Sequence, residues 1–305
     1  MRNIFVKELV NEAKKNPNII LITGDLGYRS FETFSSQFPD RFINCGVAEN
    51  NMVGIGAGLA LTGKKVFLYS IIPFLVFRSL EQIRNNICHN NLDVKIIGGG
   101  GGFSYGEQGI SHNPTEDFAI IKSLPKIKIF SPGTINETKK SIKLLIKDKG
   151  PCYVRLGKVP EFDYTIDKDY KIGTGLEIKK GSKVLILSTG NIISEVIRAS
   201  QELEKKNIST QLVSFPCIKP LDNNFVKKLL KNFQYILTIE EHETSGGFGS
   251  SVEEILINIP KKSINFKKIG LNNEIHNEIG TQDYLRKIKK INYKGIVNSV
   301  LKLLK

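Results

Sequence analysis

Short apolar runs separated by stretches of helical periodicity organise the chain. In the first half the runs are Ile19-Ile20-Leu21-Ile22-Thr23, Phe42-Ile43-Asn44, Lys65-Val66-Phe67-Leu68-Tyr69, Val94-Lys95-Ile96-Ile97, Ile127-Lys128-Ile129-Phe130 and Tyr153-Val154-Arg155. Runs this short and continuous are strands buried on both faces, with the intervening segments as crossover helices, so they predict a mainly parallel sheet covered by helices. Gly157 and Lys158 open a more polar, turn-rich stretch that lasts to about Ser182. A second alternation begins at Val184-Leu185-Ile186-Leu187-Ser188. It continues through a helix near 194–206, the strand Thr210-Gln211-Leu212-Val213-Ser214, a helix near 224–230, the strand Tyr235-Ile236-Leu237-Thr238-Ile239, a helix after Gly249 and a strand over 264–269. The expectation is an α/β chain of two domains, 1–158 and 183–305, joined by a linker over 159–182. No internal repeat of 20–50 residues interrupts this reading.

Composition adds boundaries to that picture. The 305 residues suffice for two domains, and 40% hydrophobic with 24% charged residues is ordinary for a globular protein. No apolar run reaches the ~18 residues of a membrane span. The opening Met1-Arg2-Asn3-Ile4-Phe5-Val6-Lys7-Glu8 carries charges where a signal peptide has its apolar core. The expected compartment is the cytoplasm, with no membrane partner. Cys45, Cys88, Cys152 and Cys217 are far apart and lack CxxC spacing, so they read as small core residues rather than a disulfide or zinc framework. The net charge of +14 would suit a polyanion. However, the lysines are spread along the whole chain and form no basic stripe with interleaved aromatics, and the densest cluster, Arg286-Lys287-Ile288-Lys289-Lys290, reads as a solvated helix end. Nucleic acid is not the expected partner.

Parallel α/β sheets bind ligands beyond the carboxyl ends of their strands, so the candidate chemistry lies there. After the second run comes Gly46-Val47-Ala48-Glu49-Asn50-Asn51-Met52-Val53-Gly54-Ile55-Gly56-Ala57-Gly58-Leu59-Ala60. Each glycine costs a helix about 1 kcal/mol, so a helix this rich in small residues signals a close backbone approach. Glu49 at its start is either a charge favourable to the helix dipole or a buried acid with a task. Thr23-Gly24-Asp25-Leu26 follows the first run, Ser70 to Phe77 the third, and the glycine run Gly98-Gly99-Gly100-Gly101-Gly102 the fourth. That run lacks both the GxGxxG register and a P-loop Lys-Ser/Thr, and reads as a loop that lets a ligand approach the backbone. His112 lies further along the same loop, ahead of Pro114, and Arg155 closes the last strand.

Gly46-Val47-Ala48-Glu49-Asn50-Asn51-Met52 resembles the Gly-Ile-Ala-Glu-Gln-Asn-Met motif of transketolases. The resemblance extends through Arg78-Ser79-Leu80-Glu81-Gln82-Ile83-Arg84, Gly106-Glu107-Gln108-Gly109-Ile110-Ser111-His112, Glu116-Asp117, Ser131-Pro132 and Tyr153-Val154-Arg155-Leu156-Gly157. In the second half it includes Ser188-Thr189-Gly190 and the run from Glu240 to Gly249. The family's Gly-Asp-Gly diphosphate motif and its downstream metal-binding Asn have no counterpart. The resemblance therefore implies the C-terminal half of a split transketolase: a pyrimidine-binding domain followed by the transketolase C-terminal domain. A separate N-terminal subunit would hold the diphosphate of thiamine diphosphate and its Mg²⁺ (or Ca²⁺), with no metal ligand on this chain. Two copies of each chain would form a heterotetramer.

The resemblance also implies roles. Glu49 would hydrogen-bond the ring nitrogen of the cofactor's aminopyrimidine, and His112 would assist proton transfer at the reacting carbon. Asp25 matches an acid near the pyrimidine pocket. Ile71 stands where the family has one Phe, which leaves Phe74, with Phe77 in reserve, to stack on the pyrimidine. Arg155 would grip the substrate phosphate, and Arg29 is grouped with the substrate residues. Gln108 replaces an aspartate that binds a substrate hydroxyl, and Gly100 a histidine of the substrate channel. Both changes alter hydroxyl recognition, so a modified or non-standard sugar is expected. The alternatives are the β subunit of a 2-oxo acid dehydrogenase, a deoxyxylulose-phosphate synthase-like enzyme, or a catalytically silent partner subunit.

Overall fold

Twelve strands in two sheets carry the described residues, which are 1–158, 164, 169–260 and 264–305 of the computed structural model. The first sheet holds β1 (Ile19–Thr23), β2 (Phe42–Asn44), β3 (Lys65–Ile71), β4 (Val94–Gly99), β5 (Lys128–Phe130) and β6 (Cys152–Leu156). The second holds β7 (Leu176–Lys179), β8 (Val184–Ser188), β9 (Thr210–Ser214), β11 (Tyr235–Glu243) and β12 (Asn265–Leu271), while β10 (Cys217–Lys219) crosses to the first. The orders are β10-β5-β6-β4-β3-β1-β2 and β12-β11-β8-β9-β7. All pairings are parallel except β10 with β5 and β7 with β9.

The expected two-domain, mainly parallel architecture is what the strands form. Alternate residues of the first sheet enter different cores, because side chains alternate faces along a strand. Ile20, Ile22, Val66, Leu68, Val94 and Ile96 pack on one face. Ile19, Leu21, Phe67, Tyr69, Ile97 and Val154 pack on the other. The first of these cores continues into the second half through Leu185, Leu187, Phe215 and Phe248, so the two domains share buried apolar surface.

Two strands depart from the sequence reading. Leu176–Lys179 lies within the expected linker over 159–182 yet pairs antiparallel with β9, which shortens the connection. Cys217–Lys219 belongs to the second half of the chain but extends the first sheet beside Phe130. Residues 159–163 and 165–168 of the expected linker lie outside the described residues.

In the first sheet β2 lies on one side of β1 and β3 on the other. The chain therefore leaves β1 and β3 in diverging directions, and the crevice at this switch point opens at their carboxyl ends. The helix Glu49–Leu61 begins there.

Candidate active site

Glu49 is the first residue of its helix and only 3% exposed. The non-helical Ala48 before it starts the helix without a side-chain cap. The carboxylate thus sits where the free N–H groups of the first turn favour negative charge. A Cβ on Gly24 would lie 3.6 Å from Glu49 Cγ and Oε1, so the end of β1 packs directly on the acid. On the other side Ser70 Oγ, near the end of β3, donates to Glu49 Oε1 at 3.4 Å. Arg78 Nη1 donates to Glu49 Oε2 at 3.1 Å, and the same guanidinium covers the Phe74 ring at 4.2 Å.

Phe74 and Arg78 are brought to Glu49 by a wide π-helical turn over Pro73–Phe77, a geometry that recurs at functional sites. The Phe74 ring meets His112 edge-on, with centroids 5.1 Å apart. His112 Nδ1 lies 2.9 Å from Ser111 Oγ, and its ring stands 6.4 Å from that of Tyr105. Glu49, Arg78, Phe74, His112 and Tyr105 therefore form one continuous row. Ile71 ends β3 half-buried beside this row, and Phe77 points outward, 36% exposed.

The glycine run has a steric reason at each position. A Cβ would lie 2.4 Å from Ile72 Cγ1 at Gly98, 2.7 Å from the Tyr69 hydroxyl at Gly99 and 2.4 Å from the Tyr105 ring at Gly100. At Gly101 it would lie 2.8 Å from Arg155 Cγ, and at Gly102 2.3 Å from Glu241 Oε1. The run is a seam along which five side chains press on one backbone. It borders a cavity of about 600 Å³ lined by Arg2, Tyr69, Gly100, Tyr105 and Lys158, among others. Arg2 and Lys158 are its basic lining residues, and Arg2 Nε is buried with no hydrogen-bond partner among the described residues.

Arg155, expected to grip the substrate phosphate, lies inside the protein. It is 5% exposed and its guanidinium is held among protein groups. Nη2 donates to the carbonyls of Pro114 (2.8 Å) and Glu241 (3.1 Å), Nε lies 3.1 Å from Asp117 Oδ2, and the group stacks 4.5 Å from the Phe118 ring. Tyr153 donates to the same Asp117 oxygen at 2.5 Å. Arg155 is thus a brace between the domains and does not reach the cavity. The basic groups that do reach it, Arg2 and Lys158, were missed. Both lie outside recognisable motifs, and only the fold brings a residue at the first helix and one just past β6 to the same wall.

The remaining expected residues are scattered. Asp25, at φ 54°, exchanges hydrogen bonds with Asn44, donating its N–H to Oδ1 and accepting from Nδ2, both at 3.0 Å. It lines a smaller cavity of about 180 Å³. Arg29 is exposed, with its N–H donated to Glu32 and its guanidinium 5.8 Å from the exposed Tyr28 ring, away from the row that begins at Glu49. Gln108 is exposed in the turn Gly106–Gln108 and touches the row only through its backbone.

A second polar cluster locks the glycine loop to the C-terminal half. Glu241 accepts from the Phe103 N–H and from Gln282 Nε2, both at 2.7 Å, and pairs with Arg286 Nε. His242, fully buried, accepts from the Phe118 N–H through Nε2 at 3.1 Å, which leaves Nδ1 to donate to the Glu243 carbonyl at 2.7 Å. Burial, then the Arg155 charge, lowers its pKa to about 3. Glu240 accepts from the N–H groups of Phe248 and Gly249, yet burial raises its pKa to about 7.

Residues 1–159 match the transketolase pyrimidine-binding domain and residues 173–286 the transketolase C-terminal domain. The chain belongs to the transketolase family. A putative transketolase C-terminal section of Methanocaldococcus jannaschii is 34% identical over all of this chain and 96% of its own length. A subunit of the apulose-4-phosphate transketolase of Actinobacillus succinogenes is 31% identical over 99% of this chain and 98% of its own length. Among solved structures, a split-gene transketolase described as an inactive β4 tetramer superposes with a TM-score of 0.89 at 31% identity, covering 99% of this chain and 97% of that one.

The transketolase family implies thiamine diphosphate, and the row at Glu49 fits the pyrimidine end of that cofactor. A buried carboxylate and a flat aromatic ring are bridged by a cation that is itself a planar hydrogen-bond donor stacked on that ring. Such a pair suits an aminopyrimidine. Among the described residues no group of three or more His, Cys, Asp or Glu side chains is arranged to hold a metal, and no helix is long and apolar enough to cross a membrane.

Proposed function

We propose that this chain is the pyrimidine-binding and C-terminal subunit of a split transketolase, active only with a separate subunit that holds the diphosphate of thiamine diphosphate and its Mg²⁺ (or Ca²⁺). The pair transfers a two-carbon ketol unit between phosphorylated sugars. The observation that carries this reading is the buried carboxylate of Glu49 at the switch point, in line with Phe74 and His112.

When bound, the cofactor supplies an electron sink that stabilises a substrate-derived carbanion. Glu49 holds a proton at the pyrimidine ring nitrogen, a task for a carboxylate screened from water and aimed at one atom. Phe74 offers the flat face. His112, half-exposed at the end of the row, moves a proton at the reacting substrate carbon. Arg2 and Lys158 bind the phosphate end of the sugar across the cavity, in the place first given to Arg155. A guanidinium and an ammonium suit a phosphate through charge-assisted hydrogen bonds.

The helix Glu49–Leu61 supports a homodimer of this chain within a heterotetramer. Gly54 and Gly58 have open space where a Cβ would stand, and Leu61 on the same face is 71% exposed. A second copy can approach closely along that stripe. The altered Gly100 and Gln108 positions, and a relative named for apulose 4-phosphate, support a non-standard sugar in carbohydrate metabolism.

Thiamine diphosphate with Mg²⁺ is titrated into this chain alone and into its mixture with a diphosphate-binding transketolase subunit. Tight binding only in the mixture is expected. Equally tight binding by the chain alone would overturn the split-site reading.

A further inference from the structure

The row of side chains and the cavity meet at one residue, Tyr105. Its ring fills the space beside Gly100, so that a Cβ there would come within 2.4 Å of two ring carbons. Gly100 also has φ +89°, a conformation that glycine adopts freely. A side chain at position 100 and the Tyr105 ring thus exclude one another. In the sequence Gly100 reads as a missing histidine side chain, whereas in the fold a phenol occupies that space.

The setting of the phenol is specific. Tyr105 is half-buried and lines the cavity that Arg2 and Lys158 border. On its other side the ring stands edge-on to His112 at 6.4 Å. The backbone beneath it is pinned, because Gly100 and Gly101 both donate to the Leu156 carbonyl, at 2.9 and 3.1 Å, and Ser104 Oγ donates to the Gly101 carbonyl at 2.6 Å. The Tyr105 hydroxyl has no hydrogen-bond partner among the described residues. A hydroxyl without a protein partner, on a side chain that lines a cavity, is available to a ligand.

We propose that Tyr105 is a specificity-determining residue. Its phenol hydrogen-bonds the sugar hydroxyl that lies between the reacting carbon, near His112, and the phosphate, near Arg2 and Lys158. This rests on the ketol-transfer reading above and adds to it the part of the substrate that is read. A site built to hydrogen-bond a hydroxyl discriminates against the analogue that lacks it, because the site's polar group is left unpaired.

The test uses the complex with the diphosphate-binding subunit, thiamine diphosphate and Mg²⁺. Hydroxypyruvate is the donor: it loses CO₂ and passes its remaining two-carbon unit to the aldehyde carbon of an acceptor. The acceptors are ribose 5-phosphate and 2-deoxyribose 5-phosphate, which differ in the hydroxyl next to the aldehyde. The wild type is expected to favour ribose 5-phosphate in kcat/KM by about tenfold or more. Tyr105→Phe keeps the ring and removes the hydroxyl, so the preference should fall to near unity. Gly100→Ala, which displaces the ring, should do the same, and circular dichroism shows whether each variant is folded. A preference unchanged in Tyr105→Phe overturns the assignment, as does a wild type that shows none. Failure of the wild-type complex to consume hydroxypyruvate removes the ketol-transfer reading itself, and is seen before any variant is compared.

Discussion

Replacing Arg155 by Met separates a brace from a substrate grip. The side chain is 5% exposed, and its loss strands two carbonyls, of Pro114 and Glu241, and one buried carboxylate, Asp117. Removing one partner of a buried ion pair costs about 3–5 kcal/mol. Two effects hold the cost near the lower bound. Methionine keeps apolar contact with the Phe118 ring, and Asp117, whose pKa burial already raises, can take up a proton once the arginine is gone. A loss of about 3 kcal/mol corresponds to a fall in Tm of about 5 °C for a chain of this size. Thermal unfolding followed by circular dichroism measures it, and a cycle with Asp117→Asn isolates the pair, since coupled sites deviate from additivity. The KM for a phosphorylated acceptor in the assembled enzyme is measured alongside. A Tm within about 2 °C of wild type together with a tenfold rise in that KM would refute the reasoning and return Arg155 to the substrate, the magnitudes following from the same relations.

The converse is expected of Lys158→Ala: KM for phosphorylated acceptors rises about tenfold or more while Tm is unchanged, and added salt weakens the wild type towards the variant. An equal effect on a non-phosphorylated acceptor would show that Lys158 does not meet the phosphate. Glu49→Gln should lower kcat by about 10²–10⁴-fold, the usual range for a lost proton-transfer group, without unfolding the chain. A variant with full ketol-transfer activity sinks the role. His242 titrates in the folded chain at about 3 against an ordinary 6.5, so the unfolded chain binds the extra proton and stability is lost as pH falls from about 6.5 to about 3. Glu240, raised from 4.5 to about 7, works the other way, because the folded chain holds the extra proton and stability is lost as pH rises from about 4.5 to about 7. The two offset one another between about 4.5 and 6.5, so urea midpoints of wild type minus His242→Gln should fall from pH 6.5 downward. A difference that is flat with pH would show that His242 is not held neutral by burial.

The sheet strands were legible because burial on both faces leaves a continuous apolar run. β1, β2, β8 and β9 begin and end where the runs do. β7 and β10 were not legible. Each is an antiparallel strand of three or four residues whose pairing is set by a distant partner, so nothing local marks it. Glu49 stood out because it heads a helix whose glycines conflict with helix propensity, and the structure buries it. Arg155 was legible as a residue, but its protein partners were not. It shares a strand face with Tyr153, and both reach Asp117, which lies on the helix after the glycine loop. That meeting exists only in the fold. Gly100 read as a missing side chain for the same reason, since the ring that replaces it comes from five residues downstream.

The interdomain cluster also bears on how the substrate preference is set. The glycine loop is tied at Gly100 and Gly101 to the end of β6, at Phe103 to Glu241, and at Gly106 to the Gly280 N–H at 3.2 Å. Glu241 is held in turn by Gln282 and Arg286 from a helix of the C-terminal half. Each tie is a hydrogen bond to a buried group, whose loss leaves a partner unsatisfied at a cost of about 1–3 kcal/mol. A loop held at four points does not reshape itself around each sugar. Its preference therefore changes by exchange of the side chains it carries, chiefly at 100 and 105, while the ties remain. The C-terminal domain, remote in sequence from Glu49, contributes to specificity by fixing the wall on which Tyr105 stands.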